Sequence, residues 1–134
     1  MKSNPLINDY YEWLETAWSN FERACRGFRS QDYAQCVFYA HQTVEAAFKA
    51  FLLKKGIKPL RTHDVAYLYE HVVNLGLRLT IDKDIFRELT KHYYTTRYPN
   101  ARRRLGISLE HYNKDLAMKF LELAFKVLQK VEGY

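Results

Sequence analysis

The sequence reads QDYAQCVFYAHQTVEAAFKAFLLKK from Gln31 to Lys55, and apolar residues recur in this segment every three or four positions. The spacing predicts one long α-helix, because a period of 3.6 residues brings such positions onto the same face. The predicted inner face consists of the following residues: Tyr33, Val37, Ala40, Val44, Phe48 and Phe51. Gly56 is predicted to end the helix, since glycine readily adopts the left-handed conformation of a helix C-terminus. An apolar face of this length requires other helices to cover it.

The same spacing predicts those helices on both sides of the segment. A first helix is expected over about residues 7–27, with an apolar stripe that repeats in steps of three and four. After a short connection, Lys58-Pro59-Leu60-Arg61, the hydroxyl of Thr62 is predicted to cap a third helix that runs from His63 to about Leu75.

A fourth helix is predicted to begin at Thr80 or Asp82 and to end near Tyr94. Residues 95–107 are expected to be irregular because a proline and a glycine interrupt the pattern. Ser108 is predicted to cap a last helix that continues almost to the end of the sequence. The apolar stripe of this last helix contains these residues: Leu116, Phe120, Leu123, Val127 and Val131. The fold class is therefore all-α: an antiparallel up-and-down bundle of four or five helices, forming one domain over residues 1–134.

The composition is that of an ordinary globular protein, with 48% apolar and 27% charged residues. No secretory signal and no membrane-spanning apolar run is visible, so a cytoplasmic protein is expected. The content of 11 Tyr and 8 Phe is high and suits half-wet surfaces such as subunit interfaces and ligand clefts. Cys25 and Cys36 are predicted to be buried, reduced thiols, and the sequence shows no pattern typical of a metal site or a cofactor.

Positive charge is concentrated near the predicted irregular segment. The net charge is +6, and no acid occurs between Leu89 and Leu109. The basic residues in this stretch are Lys91, Arg97, Arg102, Arg103 and Arg104. Such clustering favours a binding surface for phosphate or another polyanion, although a basic loop that is merely solvated has the same composition.

Three short segments carry a family resemblance. The first is AHQTVEAAFKAFLL at 40–53, in which a glutamine precedes Glu45 and Lys49. The second is Arg61-Thr62-His63-Asp64, and the third is Thr96-Arg97-Tyr98-Pro99-Asn100. In this order they resemble the HEPN domain, the higher eukaryote and prokaryote nucleotide-binding domain, and in particular a branch with an Arg-Tyr-Pro-Asp loop. Asn100 departs from that pattern because it replaces the acid.

The resemblance implies a homodimeric bundle that contacts a nucleotide or RNA and pairs with a small nucleotidyltransferase in a toxin–antitoxin-like system. The expected contact residues are Arg97, Tyr98, Arg102, Arg103, Arg104 and His63. Arg97 offers a fork of donors to a phosphate, and the ring of Tyr98 offers a stacking surface to a base. Two alternatives remain: His63 and Asp64 also suit a helix N-terminus, and Glu45 and Lys49 also suit an ion pair on a helix surface.

Many HEPN proteins are metal-independent ribonucleases in which four to six residues separate an Arg from a following His. Two pairs have this spacing, Arg87 with His92 and Arg104 with His111, and chance supplies about one such match in a chain of this length. Arg87 and His92 lie near the position of the family's motif and are the predicted catalytic pair, although Glu88 replaces the usual small polar residue. A metal-independent endoribonuclease is therefore the alternative to a binding and regulatory module, and a scaffold without a ligand is a third possibility.

Overall fold

The computed structural model describes residues 4–59 and 61–134. Residues 1–3, and Leu60 within the predicted Lys58–Arg61 connection, lie outside the described residues. The described part of the chain contains these helices: α1 (Ile7–Arg29), α2 (Tyr33–Lys54), α3 (Val65–Asn74), α4 (Lys83–Thr95), α5 (Pro99–Leu105) and α6 (Lys114–Glu132). A short 3₁₀ turn, Leu109–His111, precedes α6. The predicted all-α bundle is confirmed.

Helix α2 is the centre of the bundle. It packs against α1, α3, α4 and α6, and nearly every residue from Cys36 to Leu53 is buried. A helix that is covered on all sides loses the usual distinction between an apolar and a polar face. Four polar residues of α2 are consequently buried as well, which determines the geometry of the candidate site: His41, Thr43, Glu45 and Lys49.

Helices α1 and α2 touch through their backbones near the connection that joins them. The first helix, predicted over about residues 7–27, begins at Ile7 and ends at Arg29, two residues beyond the predicted end. Gly27 is a point of close approach, since a Cβ atom there would lie 3.0 Å from the backbone nitrogen of Cys36. A glycine at this position permits the tight contact between α1 and α2.

Acidic and amide side chains cap the N-termini of α3, α4 and α6, and the hydroxyl groups predicted for this role do not. Asp64, not Thr62, caps α3 by accepting hydrogen bonds from the amides of residues 66 and 67, both at 3.1 Å. Asp82 caps α4, which confirms one of the two predicted starting points. Asn113 caps α6, whereas Ser108 only precedes the 3₁₀ turn. Asx side chains satisfy the first free amides as well as Ser or Thr does.

The segment 95–107, predicted to be irregular, contains the short helix α5. Pro99 occupies its first turn, where the missing N–H costs nothing. Gly106 ends α5 with φ of 66°. No residue of α5 is buried, so the segment has no apolar stripe from which a helix could have been predicted.

The two cysteines are both free, but they differ in burial. Cys36 is buried, as predicted, whereas the prediction for Cys25 is wrong because this residue is partly exposed. Burial raises the pKa of the Cys36 thiol to about 12. Among the described residues, no helix combines the length and the apolar character needed to cross a bilayer.

Candidate functional site

A row of stacked rings, here called the aromatic ladder, joins α2, α4 and the connection before α3. It consists of the stacked rings of His63, Tyr93 and Phe38, followed by the guanidinium group of Arg97 and by the ring of Tyr98, which contacts that guanidinium. The rings of His63 and Tyr93 stack with centroids 4.3 Å apart, and those of Tyr93 and Phe38 stack at 5.8 Å. The guanidinium of Arg97 lies 4.7 Å from the centroid of Phe38 and 5.8 Å from that of Tyr98. Two predicted contact residues, His63 and Arg97, are thereby connected through rings that sequence reasoning missed.

The His63 end of the ladder rests on a buried ion pair. Glu45 receives Lys49 Nζ at 3.0 Å and His63 Nδ1 at 2.8 Å. The side chains of Glu45 and Lys49 are only 9% and 8% exposed, so the prediction of an ion pair on the helix surface is wrong. The reason is the central position of α2: Lys49 Nζ lies 5.4 Å from the ring of Trp13 on α1.

His63 is held from two further directions. Its carbonyl oxygen accepts a hydrogen bond from Nε2 of His41 at 2.8 Å. His41 is fully enclosed, and desolvation by burial lowers its pKa, so it is a neutral imidazole at pH 7. Nε2 of His63 lies 3.2 Å from the hydroxyl of Tyr93. Burial raises the pKa of Tyr93, so this hydroxyl keeps its proton at neutral pH. The imidazole is thus fixed while 47% of its side chain stays exposed to solvent.

The four predicted arginines of the basic segment differ in their surroundings. Nη1 of Arg102 donates to the carbonyl oxygen of Thr95 at 2.9 Å, so this side chain ties α5 to the end of α4. Arg97, Arg103 and Arg104 are exposed. Within the described residues, none of the four forms an ion pair with a carboxylate.

A groove of about 390 Å³ runs beside Arg97, between the start of α2 and the end of α4. Its walls include Phe38, Tyr39, Thr96, Arg97 and Leu109. Asp32, the cap of α2, also lines this groove and adds one negative charge to it. The groove therefore combines ring surfaces, a free guanidinium and one acid, and it is of a size that accepts a small ligand.

The predicted catalytic pair lies on α4 but does not converge. Arg87 is exposed and pairs with Asp84, one turn earlier in the same helix. His92 is 1% exposed, with Nδ1 2.9 Å from the hydroxyl of Tyr112. Five residues along a helix correspond to about 140° of rotation, so the two side chains leave α4 in different directions.

The surroundings of His92 keep it neutral. Desolvation lowers its pKa to about 4, and Glu88, Lys91 and His111 add smaller effects of mixed sign. Nε2 has no hydrogen-bond partner among the described residues and lies 3.7 Å from Glu88. Glu88 forms an ion pair with Lys119, whereas Arg87 forms one with Asp84.

The histidines of the two Arg–His pairs predicted from the sequence, His92 and His111, lie close together. The ring of His111 lies 5.7 Å from that of His92. His111 and Arg104 are both exposed. No group of three or more His, Cys, Asp or Glu side chains in the described residues is arranged to hold a metal ion.

The comparisons with known proteins point to one family. The family model described as "HEPN domain" matches residues 10–134. Among solved structures, the crystal structure of TT1696 from Thermus thermophilus superposes with a TM-score of 0.77 at 31% sequence identity, covering 94% of this chain and 98% of that chain. A comparison with curated proteins found no match.

Proposed function

The chain belongs to the HEPN family of nucleotide- or RNA-related modules, and from this we propose that it binds a nucleotide or single-stranded RNA at the Arg97 end of the aromatic ladder. The phosphate is bound by Arg97 with Arg103 and Arg104, and a base stacks on Tyr98. Arg102 acts by holding α5 in place. His63, at the other end of the ladder, is a second polar contact for a ligand that extends along the rings.

One observation carries the proposal: the guanidinium of Arg97 is fixed over Phe38 at 4.7 Å and is not paired with any carboxylate of the described residues. An arginine that only improves solubility is not expected to lie over an aromatic ring. A planar guanidinium that is held by rings loses less conformational entropy when a phosphate binds. This arrangement supports a phosphate site more strongly than the net charge does.

The proposal is tested by measuring the affinity for ATP and for a fluorescent single-stranded RNA at several salt concentrations. Arg97→Ala is expected to lower affinity about tenfold, because a charge-assisted contact is lost. The slope of log affinity against log salt becomes shallower by about 0.7 for each phosphate contact removed. Lys126→Ala is the matched control, since Lys126 is an exposed cation on α6. Unchanged affinity and slope in Arg97→Ala, or equal losses in the control, would contradict the proposal.

We further propose that the chain acts as a homodimer and that a small nucleotidyltransferase is its partner, in a toxin–antitoxin-like system. Family membership motivates both, and the ring of Tyr94, which is 46% exposed, supplies apolar area beside the ladder for such a contact. Light scattering of the purified protein measures the dimer directly. Co-purification with the product of an adjacent nucleotidyltransferase gene tests the partner, and a monomer that captures no such protein would contradict this part.

A metal-independent endoribonuclease with Arg87 and His92 is the second candidate. It is favoured by one feature, the adjacent rings of His92 and His111, with Nε2 of His92 unbonded among the described residues. Its test is cleavage of single-stranded RNA in EDTA by the wild type and by Arg87→Ala and His92→Ala variants that still fold. Because His92 is enclosed, cleavage requires a rearrangement that exposes it. No cleavage at micromolar protein would remove this candidate.

A further inference from the structure

A cavity among the described residues lies far from the aromatic ladder, at the opposite end of α2. Its volume is about 580 Å³, within the usual range for small-molecule sites. The cavity is lined by Arg78 from the α3–α4 connection and by Gln129, Lys130 and Tyr134 from the end of α6. Lys55, at the end of α2, is 17 residues from Phe38, which at 1.5 Å per residue corresponds to about 25 Å. The cavity and the Arg97 groove are therefore separate places.

The wall of this cavity is held in position by several contacts. Nζ of Lys55 lies 4.3 Å from the ring centroid of Tyr134 and donates to the Tyr134 hydroxyl. Nζ of Lys54 lies 5.7 Å from the same centroid. Gly76 has φ of 105°, and a Cβ atom there would lie 3.4 Å from the Tyr134 hydroxyl. Two lysines thus contact the ring, and the glycine turn lies close to its hydroxyl.

The charge around the cavity is positive. No lining side chain is acidic, and no acid occurs in the sequence between Glu70 and Asp82 or between Glu45 and Asp64. Glu132 is adjacent to the lining residue Gly133, but its carboxylate accepts a hydrogen bond from Nε1 of Trp18 on α1 at 3.0 Å. Within the described residues, neither Arg78 nor Lys130 forms an ion pair. Two unpaired cations on different elements, with two lysines adjacent, attract an anion of high charge density more than a neutral ligand.

We propose that this cavity is a second anion site, which binds a phosphate dianion as free phosphate or as the phosphate of a small monoester. The guanidinium of Arg78 matches two phosphate oxygens, Lys130 supplies a point charge, and the amide of Gln129 donates to a third oxygen. The Tyr134 ring forms the apolar wall against which the organic part of a monoester rests. This site does not depend on the ligand of the Arg97 groove.

Isothermal titration with inorganic phosphate and with AMP, at constant ionic strength, tests the second site. The double variant Arg78→Gln/Lys130→Gln is expected to lose about tenfold in phosphate affinity. Lys126→Gln, which removes an exposed charge outside the cavity on the same helix, is expected to stay within about twofold of the wild type. Circular dichroism confirms that each variant is folded, and single Arg78→Gln and Lys130→Gln variants replace the double variant if it is not.

The outcomes separate this site from the proposed function. Phosphate binding that survives Arg97→Ala but is lost in Arg78→Gln/Lys130→Gln supports the second site, whatever the first site binds. Tighter binding of AMP than of phosphate identifies a monoester as the ligand, and equal binding identifies free phosphate. The proposal is overturned if the wild type binds neither probe, if the cavity variants bind phosphate as the wild type does, if Lys126→Gln loses as much, or if only Arg97→Ala abolishes binding.

Discussion

Glu45 accepts contacts from Lys49 and His63 while its side chain is 9% exposed. Removal of one partner from a buried ion pair costs more than the pair contributes, because it leaves an uncompensated charge in a poorly solvated place. The orientation of His63 depends on the same carboxylate. A single side chain therefore affects both the stability of the bundle and the geometry of the ladder.

For Glu45→Gln we expect the free energy of unfolding to fall by about 3 kcal/mol, because the ammonium group of Lys49 is left buried without its counter-charge. Urea denaturation of the variant measures this change. Glu15→Gln is the matched control: Glu15 is exposed on α1, and its loss is expected to change the free energy of unfolding by less than about 0.5 kcal/mol. Equal stability of the two variants would show that the Glu45–Lys49 pair is solvated.

His92 makes the stability of the fold depend on pH. Its pKa falls from 6.5 to about 4 on folding, so the unfolded chain binds more protons between these values. Stability therefore decreases as the pH falls through this window and is fully retained above pH 6.5. The slope due to His92 is at most about 1.4 kcal/mol per pH unit.

We expect His92→Gln to be less sensitive to acid than the wild type between pH 6.5 and 4, because glutamine does not titrate. Urea denaturation across this pH range gives both slopes. His71→Gln is the control, since His71 is exposed on α3. Parallel curves for the wild type and His92→Gln would mean that the buried imidazole does not titrate as assigned.

At the level of helices, the apolar stripes predicted α1, α2, α3, α4 and α6, whereas the start of α6 was wrong because Asn113 and not Ser108 caps it. The helix that begins after Asp82 and the central helix that ends before Gly56 were predicted within a few residues. Helix α5 was missed because its seven residues bury nothing, so only Pro99 and Gly106 mark it, and both also occur in turns. The close contact at Gly27 could not be predicted, because backbone contact between two helices leaves no trace in the apolar pattern of either helix.

The contact between α1 and α2 makes a clear prediction for Gly27→Ala. Alanine raises helix propensity by about 1 kcal/mol, but its Cβ would lie 3.0 Å from the Cys36 nitrogen and 3.2 Å from the Asp32 carbonyl oxygen. Backbone atoms cannot move aside cheaply, so we expect a net loss of about 1–3 kcal/mol in thermal or urea unfolding. Thr16→Ala, an exposed change in the same helix, is expected to be nearly neutral. A Gly27→Ala protein more stable than the wild type would contradict the close packing.

At the scale of the whole molecule, the packing of several helices brings together the residues of the aromatic ladder, and no single segment of the sequence shows this. The sequence pointed to His63 and Arg97 separately, but the rings of Phe38 and Tyr93 that connect them lie on different helices. Phe38 lies outside the predicted inner face of α2. A large aromatic residue at such a position was the feature of the sequence that could have identified it as part of the site. The burial of Glu45 and Lys49 follows from α2 being surrounded, and periodicity within α2 cannot show how many helices cover it.

The core of the bundle is tested by Leu123→Asp. Leu123 is 6% exposed on α6 and belongs to the main apolar cluster. A carboxylate there is stranded among apolar side chains, so we expect the protein to unfold or to lose several kcal/mol. Phe125→Asp is the control, because Phe125 is 41% exposed on the same helix. Circular dichroism melting curves compare the two, and an unchanged melting temperature for Leu123→Asp would contradict the packing of α6.

The most direct test of the central claim is a nuclear magnetic resonance titration of ¹⁵N-labelled protein with ATP and with a short single-stranded RNA. If the Arg97 end of the aromatic ladder binds the ligand, the amide shifts change in residues 35–39 and 94–104. These changes are lost in Arg97→Ala and persist in Lys126→Ala. Shifts that stay constant in both segments, or that move only elsewhere in the bundle, would contradict the assignment of this surface to nucleotide or RNA binding.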